Sequence, residues 1–279
     1  MPTNFTLTNP VPIHSAPIHS TPTLLCIGGL DPSGGAGITA DARAAHAFGA
    51  HALCVATAIV AQNTRGVAFV EAVSPQVLRG QIQTLLEDIK VGAIKIGMIP
   101  NLEAIEVLDE ILRPLHLSIP IVIDTVFAPS TGLRFNDEIT IAAITAQLLP
   151  LATLVTPNAI EARQLGAPAW KDAASMQRAA SAVLERSGAK NVLLKGGHSA
   201  DLEFATDLFF DGKEFLELRA PRENGFEVRG TGCLLASAIA AQLASGIAPV
   251  QAAQRAKVWL TREYQSAKII GGGRRIAAI

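Results

Sequence analysis

A short glycine-rich segment ends in a cysteine and leads into a long run of helix-forming residues. The segment reads Arg229-Gly230-Thr231-Gly232-Cys233 and is followed by a helical pattern over 234–241. The first backbone N–H groups of such a helix have no partner within it, and the helix dipole favours negative charge there. Glycine lets a phosphate approach the backbone closely. The pattern indicates either a cradle for phosphoryl transfer or a glycine-started helix with a buried cysteine.

Three cysteines occur, and they differ in their surroundings. Cys233 falls in the first turn of the predicted helix, where the same field lowers thiol pKa and favours the thiolate. We therefore expect Cys233 to be a candidate base. Cys26 and Cys54 lie in apolar runs, and we interpret them as unreactive core residues. The spacing of the three indicates neither a disulfide framework nor a zinc site.

A second glycine-rich stretch, residues 28–41, follows an apolar run and opens a helix. Its segment 35–40 fits the G-x-G-x-x-[GA] dinucleotide fingerprint. That fingerprint also requires an acidic residue about 20 positions later, at the end of the next strand. The corresponding run, 56–62, contains no acidic residue, so we reject NAD binding. The lysine pattern of a standard P-loop is absent as well.

Polar residues follow several apolar runs, and each has two interpretations. Gln62, with the neighbouring Asn63, offers amide groups to a heterocycle edge, or forms a turn. Asn158 and Glu161 can arrange Mg²⁺ and its waters, or cap a helix. Asp41 is a lone carboxylate on a largely apolar helix. It is either a functional group, or a residue that faces solvent or adds favourable negative charge near the helix N-terminus.

Two further strand ends carry charge. Asp124 could add negative charge near a metal ion. Lys195 could reach nucleotide phosphates, or be a solvated strand-end lysine. Because ligands gather at the carboxyl ends of the strands in parallel α/β sheets, polar residues at many such ends predict a site.

Apolar runs alternate with amphipathic ones, which predicts a doubly wound, mostly parallel sheet with helices on both faces. The predicted strands are Leu24–Gly28, Ala52–Val60, Ala93–Met98, Ile119–Asp124, Leu154–Thr156 and Asn191–Lys195, with a hairpin of Thr206–Phe210 and Glu214–Leu218. The predicted helices are Ile38–Phe48, Pro75–Lys90, Leu102–Leu112, Glu138–Leu148, Ala173–Ser187, Gly230–Ala244 and Val250–Lys268.

Composition limits the classes of protein. With 279 residues, 49% of them hydrophobic, we expect one α/β domain over residues 23–270. A flexible tail is expected at 1–22 and a loose one at 271–279. The net charge of −1 offers no basic field to nucleic acid or a membrane. No apolar stretch reaches the roughly 20 residues of a membrane span, and no signal peptide is evident, so we expect a reduced, cytoplasmic protein.

Seven motifs occur together in a characteristic order. They are Gly-Leu-Asp-Pro-Ser-Gly-Gly-Ala-Gly-Ile-Thr-Ala-Asp (29–41), Val-Ala-Gln-Asn-Thr (60–64), Lys-Ile-Gly-Met (95–98), Asp-Thr-Val (124–126), Thr-Pro-Asn-x-x-Glu-Ala (156–162), Lys-Gly-Gly-His (195–198) and Gly-Thr-Gly-Cys (230–233). Over about residues 23–260 the chain resembles the hydroxymethylpyrimidine/phosphomethylpyrimidine kinases of thiamine biosynthesis, which have a ribokinase-like fold. The resemblance implies phosphorylation of 4-amino-5-hydroxymethyl-2-methylpyrimidine, and then of its monophosphate, with ATP and Mg²⁺.

The resemblance also implies where the substrate lies. Asp41 and Gln62 would bind the aminopyrimidine, and Gly29, Ala36 and Met98 would line its pocket. The backbone amides of Gly230, Thr231, Gly232 and Cys233 would form an anion hole for the transferred phosphoryl group.

Further roles follow from the same resemblance. Cys233, where most relatives in the superfamily carry an aspartate base, would take the proton from the hydroxymethyl group. Asp124, Asn158 and Glu161 would manage Mg²⁺, largely through water, and Lys195 would support ATP binding. The family also implies a homodimer.

The chain departs from the family pattern at several points. The run Phe127-Ala128-Pro129-Ser130-Thr131-Gly132 lacks a lysine that family members usually carry. Arg229 and Leu234 replace a usual histidine and threonine, and the glycine-proline-histidine ending is absent. The first phosphorylation is therefore better supported than the second, which needs positive charge near an anionic substrate. We group Arg229 with the cofactor-binding residues and consider it the candidate for that charge.

Two alternatives remain open. A pyridoxal or pyridoxine kinase would phosphorylate a similar hydroxymethyl heterocycle, although Gln62 favours an aminopyrimidine because an amide both donates and accepts hydrogen bonds. A non-catalytic pyrimidine-binding sensor would keep the fold and lose the reaction. It would bind ligand without forming ADP.

Overall fold

A central sheet organises the chain. The computed structural model describes residues 21–127, 136–197, 203–223 and 225–278. Within these residues, nine strands form one sheet in the order β3-β2-β1-β4-β5-β6-β7-β8-β9. The strands are β1 Thr23–Leu30, β2 His51–Gln62, β3 Val67–Ala72, β4 Ala93–Ile96, β5 Ile121–Ile123, β6 Leu154–Val155, β7 Val192–Leu194, β8 Phe204–Phe210 and β9 Phe215–Pro221, with a separate pair of β10 Val228–Arg229 and β11 Arg275–Ile276. Neighbouring strands are parallel through the middle of the sheet, along β2, β1, β4, β5, β6 and β7. The pairs at the edges, β2 with β3, β7 with β8 and β8 with β9, are antiparallel.

Helices cover both faces of this sheet. They are α1 Gly37–Ala47, α2 Pro75–Asp88, α3 Leu102–Leu112, α4 Glu138–Ala143, α5 Ala159–Gln164, α6 Ala173–Ser187, α7 Thr231–Ala244 and α8 Pro249–Gln265. Side chains of α1, α7 and α8 pack with one face of the sheet, and those of α2, α3 and α6 pack with the other. The predicted doubly wound, mostly parallel fold is confirmed. No helix among the described residues is long and apolar enough to cross a membrane.

The predicted elements match the observed ones closely except at β3, at α5, after Ala143 and at the β10–β11 pair. Strand β3 was not predicted, because its side chains are all exposed or half-buried and give no alternating apolar pattern. The short helix α5 was not among the predicted helices, although a helix cap was one interpretation of Asn158 and Glu161. The helix predicted over Glu138–Leu148 is wrong in its second half, where the α-helix ends at Ala143 and a π-helical turn follows over Ile144–Leu148.

The C-terminal segment also differs from the expected loose tail. Its strand β11 pairs in parallel with β10, and the N–H of Arg274 donates to the carbonyl oxygen of Thr64. The reason is burial, since Ile276 and Ala277 are 6% and 3% exposed, and Ala277 packs with residues of α1 and α7. The expected N-terminal tail lies almost wholly outside the described residues.

Candidate active site

The N-terminus of α7 is held by a glycine that no other residue could replace without strain. Gly230 precedes the helix with a φ of +74°, and a Cβ there would lie 2.0 Å from the carbonyl oxygen of Gly35. No side chain caps this end among the described residues. The N–H groups of the first turn, Thr231 to Cys233, therefore face the rim of the sheet as the sequence predicts for an anion cradle.

The N-terminus of α1 meets this cradle. Gly37 opens α1 with a φ of +60°, and a Cβ on it would lie 2.1 Å from the carbonyl oxygen of Gly29. Ala36, which precedes the helix, has no side-chain acceptor that could cap the N–H groups of the first turn. The Gly37 N–H donates to the thiol of Cys233. Cys233 thus lies between two helix N-termini, both of which favour negative charge on its sulfur.

The charge state of Cys233 nevertheless differs from the prediction. Burial, together with the carboxylates of Asp41 and Asp124, raises the pKa of its thiol to about 11. Lys95 and the Gly37 N–H act in the opposite direction but do not compensate. The predicted low pKa is therefore wrong for the ligand-free protein, because desolvation and two nearby carboxylates outweigh the helix termini.

A buried ion pair lies beneath the cradle. The ammonium of Lys95 on β4 lies 2.8 Å from both carboxylate oxygens of Asp41 on α1, and neither residue is exposed. Ser237, one turn after Cys233 on α7, donates to Asp41 Oδ1 at 2.7 Å. A Cβ at Gly97 would lie 2.8 Å from the Lys95 nitrogen, so the backbone there leaves room for the ammonium.

This pair changes the role expected for Asp41. Burial raises the pKa of Asp41, while Lys95 and Ser237 lower it. Burial alone would lower the pKa of Lys95, but Asp41, Cys233 and Asp124 hold it above its ordinary value. Because the Asp41 carboxylate has no exposed surface and is occupied by Lys95 and Ser237, the predicted direct contact with a pyrimidine is not available in this structure.

A second ion pair approaches the cradle from β7. Lys195 lies 2.8 Å from Asp124 Oδ1, which also accepts a hydrogen bond of 2.9 Å from Thr156. A Cβ on Gly232 would lie 3.2 Å from the Lys195 nitrogen and 3.4 Å from Asp124 Oδ2. Burial would raise the pKa of Asp124, but Lys195 and Lys95 hold it below its usual range.

Lys195 also faces a third carboxylate. Glu161 Oε2 lies 3.8 Å from the Lys195 nitrogen and accepts hydrogen bonds from the Asn158 N–H and the Thr125 hydroxyl. Asn158 and Glu161 form a capping box at the start of α5, so the helix-cap interpretation of this motif is correct. Burial raises the pKa of Glu161 to about 7, and Asp124 adds to the shift while Lys195 opposes it.

These carboxylates fit a magnesium ion held mainly by water. Asp124 Oδ2 and Glu161 Oε1 accept no hydrogen bond from the described residues, although the other oxygen of each is engaged. Within those residues no group of three or more His, Cys, Asp or Glu side chains could hold a metal. Mg²⁺ commonly uses one or two carboxylates and keeps its remaining positions for water and phosphate.

Arg229 and Gln62 meet beside the glycine loop of α1. Gln62 Oε1 accepts a hydrogen bond from Arg229 Nη2. Arg229 is 5% exposed, and its Nε lies 3.7 Å from Asp31 Oδ2 without a hydrogen-bond partner in the described part of the chain. Asp31 in turn orders the loop by accepting from the N–H groups of Ser33 and Ala36.

The predicted pocket-lining residues come together at the same rim. A Cβ on Gly29 would lie 3.1 Å from the sulfur of Met98, which packs with Ala58 and Val60. Ala36 stands at the N-terminus of α1. The structure therefore brings the predicted residues of β1, β2 and β4 to one place. The run 128–132 and His198 lie outside the described residues.

A cleft of about 760 Å³ opens nearby, between the β2–β3 turn and the C-terminal segment. Its lining includes Thr64, Arg65, Phe226 and Arg274, but none of the residues predicted for the site. We therefore place the site at the meeting helix N-termini.

Sequence reasoning missed Lys95 and Ser237 as members of the site. Lys95 begins the Lys-Ile-Gly-Met motif and lies in a four-residue strand that is otherwise apolar or small. A charged residue in a buried strand is rare unless it is paired, and this was the available signal. Ser237 gave none, because one serine in an alanine-rich helix is common.

The sheet, the glycine-held helix N-termini and the two ion-paired lysines define a kinase of the ribokinase-like class. A family model described as phosphomethylpyrimidine kinase matches residues 31–276. The chain belongs to that family.

Similar proteins agree with this assignment. A hydroxymethylpyrimidine/phosphomethylpyrimidine kinase of Rhizobium meliloti is 42% identical over 257 residues, covering 91% of this chain and 95% of the relative. A phosphomethylpyrimidine kinase structure from Clostridium difficile 630 has a TM-score of 0.75 at 34% identity, covering 87% of this chain and 99% of the other. A Bacillus subtilis pyridoxal kinase in an ADP complex has a TM-score of 0.84 at 29% identity, covering 92% and 97%.

The chain spans about half the length of two plant relatives, both thiamine biosynthetic bifunctional enzymes described as chloroplastic.

Proposed function

We propose that the chain uses ATP to phosphorylate 4-amino-5-hydroxymethyl-2-methylpyrimidine, and then its monophosphate, in thiamine biosynthesis. The names of its full-length bacterial relatives support this substrate. The observation that carries the proposal is the junction of the α1 and α7 N-termini at Cys233, with two lysines beside it. Phosphoryl transfer depends mainly on positioning and charge stabilisation, and this junction supplies both.

The backbone amides of Thr231, Gly232 and Cys233 would hold the transferred phosphoryl group. Their N–H groups are open, and Gly232 has no side chain to block the approach. Lys195 would contact ATP phosphates, because a Cβ on Gly232 of this turn would lie only 3.2 Å from its ammonium nitrogen. Its ion pair with Asp124 keeps the ammonium in place before ATP arrives.

Cys233 would accept the proton of the hydroxymethyl group as the oxygen–phosphorus bond forms. The reaction needs its thiolate, which Lys95 and the Gly37 N–H favour. Asp41 and Ser237 would act indirectly, because Asp41 holds Lys95 in position and Ser237 holds the Asp41 carboxylate. Because the ligand-free thiol is protonated at neutral pH, we expect the rate to increase in alkaline solution.

Asp124 and Glu161 would hold the waters of Mg²⁺ through their open oxygens. When bound, Mg²⁺ neutralises phosphate charge and orients the transferred group. Asn158 keeps the Glu161 carboxylate in position through its backbone N–H. Glu161 must be ionised for this role, so we expect magnesium affinity to fall below about pH 7.

Arg229 would supply positive charge for the second phosphorylation. Its guanidinium is buried, and its Nε lacks a hydrogen-bond partner among the described residues while facing the glycine loop of α1. Gln62, which Arg229 contacts, keeps its amide nitrogen for an aminopyrimidine ring.

One assay separates this proposal from its alternatives. ADP release is measured with Mg²⁺-ATP and, in parallel, the pyrimidine alcohol, its monophosphate or pyridoxal. We expect turnover of both pyrimidines and a lower kcat/KM for pyridoxal. Preference for pyridoxal, which the structural similarity to pyridoxal kinases keeps open, would overturn the substrate assignment. Pyrimidine binding without ADP formation would indicate the sensor.

A homodimer and a cytoplasmic location complete the proposal. Sedimentation equilibrium of the full chain should give twice the mass of 29.2 kDa. Cell fractionation should recover the protein without membranes, and titration should detect no affinity for nucleic acid. A monomer, or a membrane-bound fraction, would contradict these parts alone.

A further inference from the structure

Two cysteines of the sheet, Cys26 and Cys54, lie side by side. Cys26 on β1 is the register partner of Cys54 on the neighbouring parallel strand β2. Adjacent strands lie about 4.8 Å apart, which falls within the Cα–Cα range of disulfides. Register partners on parallel strands project to the same face, so the two thiols are neighbours, although each donates to a backbone carbonyl, Cys26 to Leu24 and Cys54 to Ile38. Cys26 is a core residue as predicted, whereas the core location predicted for Cys54 is wrong because that residue is exposed.

The two thiols differ in access and in acidity. Cys26 has no exposed surface, whereas Cys54 is exposed. The neighbouring Cys26 thiol lowers the pKa of Cys54, although partial burial and Asp41 oppose that shift. The Cys54 thiol and burial raise the pKa of Cys26. An accessible, more acidic thiol beside a protected one is the arrangement of a redox-sensitive pair.

We propose that Cys26 and Cys54 form a reversible disulfide when a hydroperoxide reaches Cys54. The Cys54 thiolate attacks the peroxide, whose O–O bond breaks, giving a sulfenic acid and releasing an alcohol, or water from hydrogen peroxide. The Cys26 sulfur then attacks the sulfenic sulfur, and water leaves. In total, two thiols and one peroxide give one disulfide, one alcohol or water, and one further water. The proposal does not depend on the kinase activity.

The surroundings indicate that this bond forms without unfolding and is easily reduced. The Cys54 thiol also contacts the carbonyl oxygen of Ile38, in the first turn of α1, at 3.7 Å. Disulfide formation would remove that contact, but the two strands keep their register through their own backbone pairing. A disulfide confined by strand spacing cannot relax its geometry freely, and strained disulfides are the labile ones.

Peroxide treatment of the full chain tests the proposal. The protein is exposed to a small excess of hydrogen peroxide, its free thiols are alkylated, and peptides are mapped by mass spectrometry. We expect one crosslink, joining the peptides of Cys26 and Cys54, with Cys233 still alkylated. Dithiothreitol should restore both thiols. A Cys54 that gains two or three oxygens while Cys26 stays free would contradict the proposal, as would a crosslink between two chains through Cys54.

Two substitutions assign the steps. Cys54→Ser should abolish the crosslink and leave Cys26 reduced, and because Cys54 is exposed this variant should fold. Cys26→Ser should leave a Cys54 sulfenic acid that dimedone traps, with Cys26→Ala as the second variant if the serine is not tolerated in the core. Cys233→Ser serves as the control and should form the crosslink like the unaltered chain. Loss of the crosslink in that control would move the redox site to Cys233.

Discussion

Lys95 donates to both carboxylate oxygens of Asp41 at 2.8 Å, and neither residue has exposed surface. Ser237 adds a third hydrogen bond to the same carboxylate from α7. The three side chains join α1, β4 and α7 directly below Cys233. A charged pair this deep is stable only while both partners remain, because either alone would be an uncompensated buried charge.

The stability lost by removing Lys95 should therefore depend on whether Asp41 is still present. We expect Lys95→Met or Asp41→Asn to lower the free energy of unfolding by about 3–5 kcal/mol each. The double variant should lose less than the sum of the two. Urea unfolding of all four proteins measures this difference, with Lys90→Met, at a position outside the pair, as the control. Additive losses would show that the two charges do not depend on each other.

Glu161 should make the stability of the ligand-free protein depend on pH. Its pKa is raised to about 7, so the folded state binds a proton that the unfolded chain releases at lower pH. Stability from this group is complete below the unfolded pKa and is lost as the pH rises to about 7. Glu161→Gln should flatten the dependence of the melting temperature on pH in this range. An unchanged slope would contradict the shift.

Magnesium should stabilise the protein mainly on the alkaline side of this transition. An ionised Glu161 binds the cation better than a protonated one, so the melting temperature should rise more with Mg²⁺ at about pH 8 than at about pH 5.5. Glu161→Gln should reduce the rise at the higher pH. Equal stabilisation at both values, unaffected by the substitution, would place Mg²⁺ elsewhere.

Gly230 and Gly246 allow a matched test of the cradle. Both glycines have positive φ values, Gly230 before the start of α7 and Gly246 after its end. A Cβ on Gly230 would lie 2.0 Å from the Gly35 carbonyl oxygen, whereas a Cβ on Gly246 would have no described atom within 4 Å. Gly246→Ala should lower the free energy of unfolding only by the cost of the left-handed conformation, about 1–2 kcal/mol. Gly230→Ala should lose more stability and nearly all activity, as measured by urea unfolding and ADP release. Equal losses would show that the close approach is unimportant.

Arg229→Ala should separate the two phosphorylations. The arginine would face the anionic substrate of the second step, so kcat/KM for the monophosphate should fall by one to two orders of magnitude, while that for the alcohol should change little. Arg229→Lys should recover part of the loss. Intact turnover of the monophosphate would remove this role from Arg229.

The sequence predicted the rim of the site better than its interior. The glycines before α7 and the polar strand ends were recognised because their residue types are uncommon at such positions. Lys95 was missed, since its partner Asp41 is 54 residues away and only the packed structure shows that both are buried. The contact of Cys26 with Cys54 depends on strand register, which an apolar run does not specify.

The charge state of Cys233 illustrates the same limit. Its position at a helix N-terminus could be predicted from the neighbouring glycines, and the structure agrees. Its pKa could not, because the shift depends on burial and on Asp41 and Asp124, which distant segments bring close. The C-terminal strand was missed for a similar reason, since three consecutive glycines indicate a loose chain, whereas Ile276 is buried and Ala277 packs into the core.

The role of Cys233 as the proton acceptor is tested most directly by the pH dependence of kcat for the alcohol, in the unaltered chain and in Cys233→Asp. Both are measured with saturating Mg²⁺-ATP between about pH 7.5 and 9.5, where Glu161 is largely ionised. We predict a rise of roughly tenfold per pH unit for the unaltered chain, because only the thiolate accepts the proton. The aspartate variant should be active with a nearly flat profile, and Cys233→Ser should be slow throughout. The same rising profile in all three proteins would contradict Cys233 as the proton acceptor.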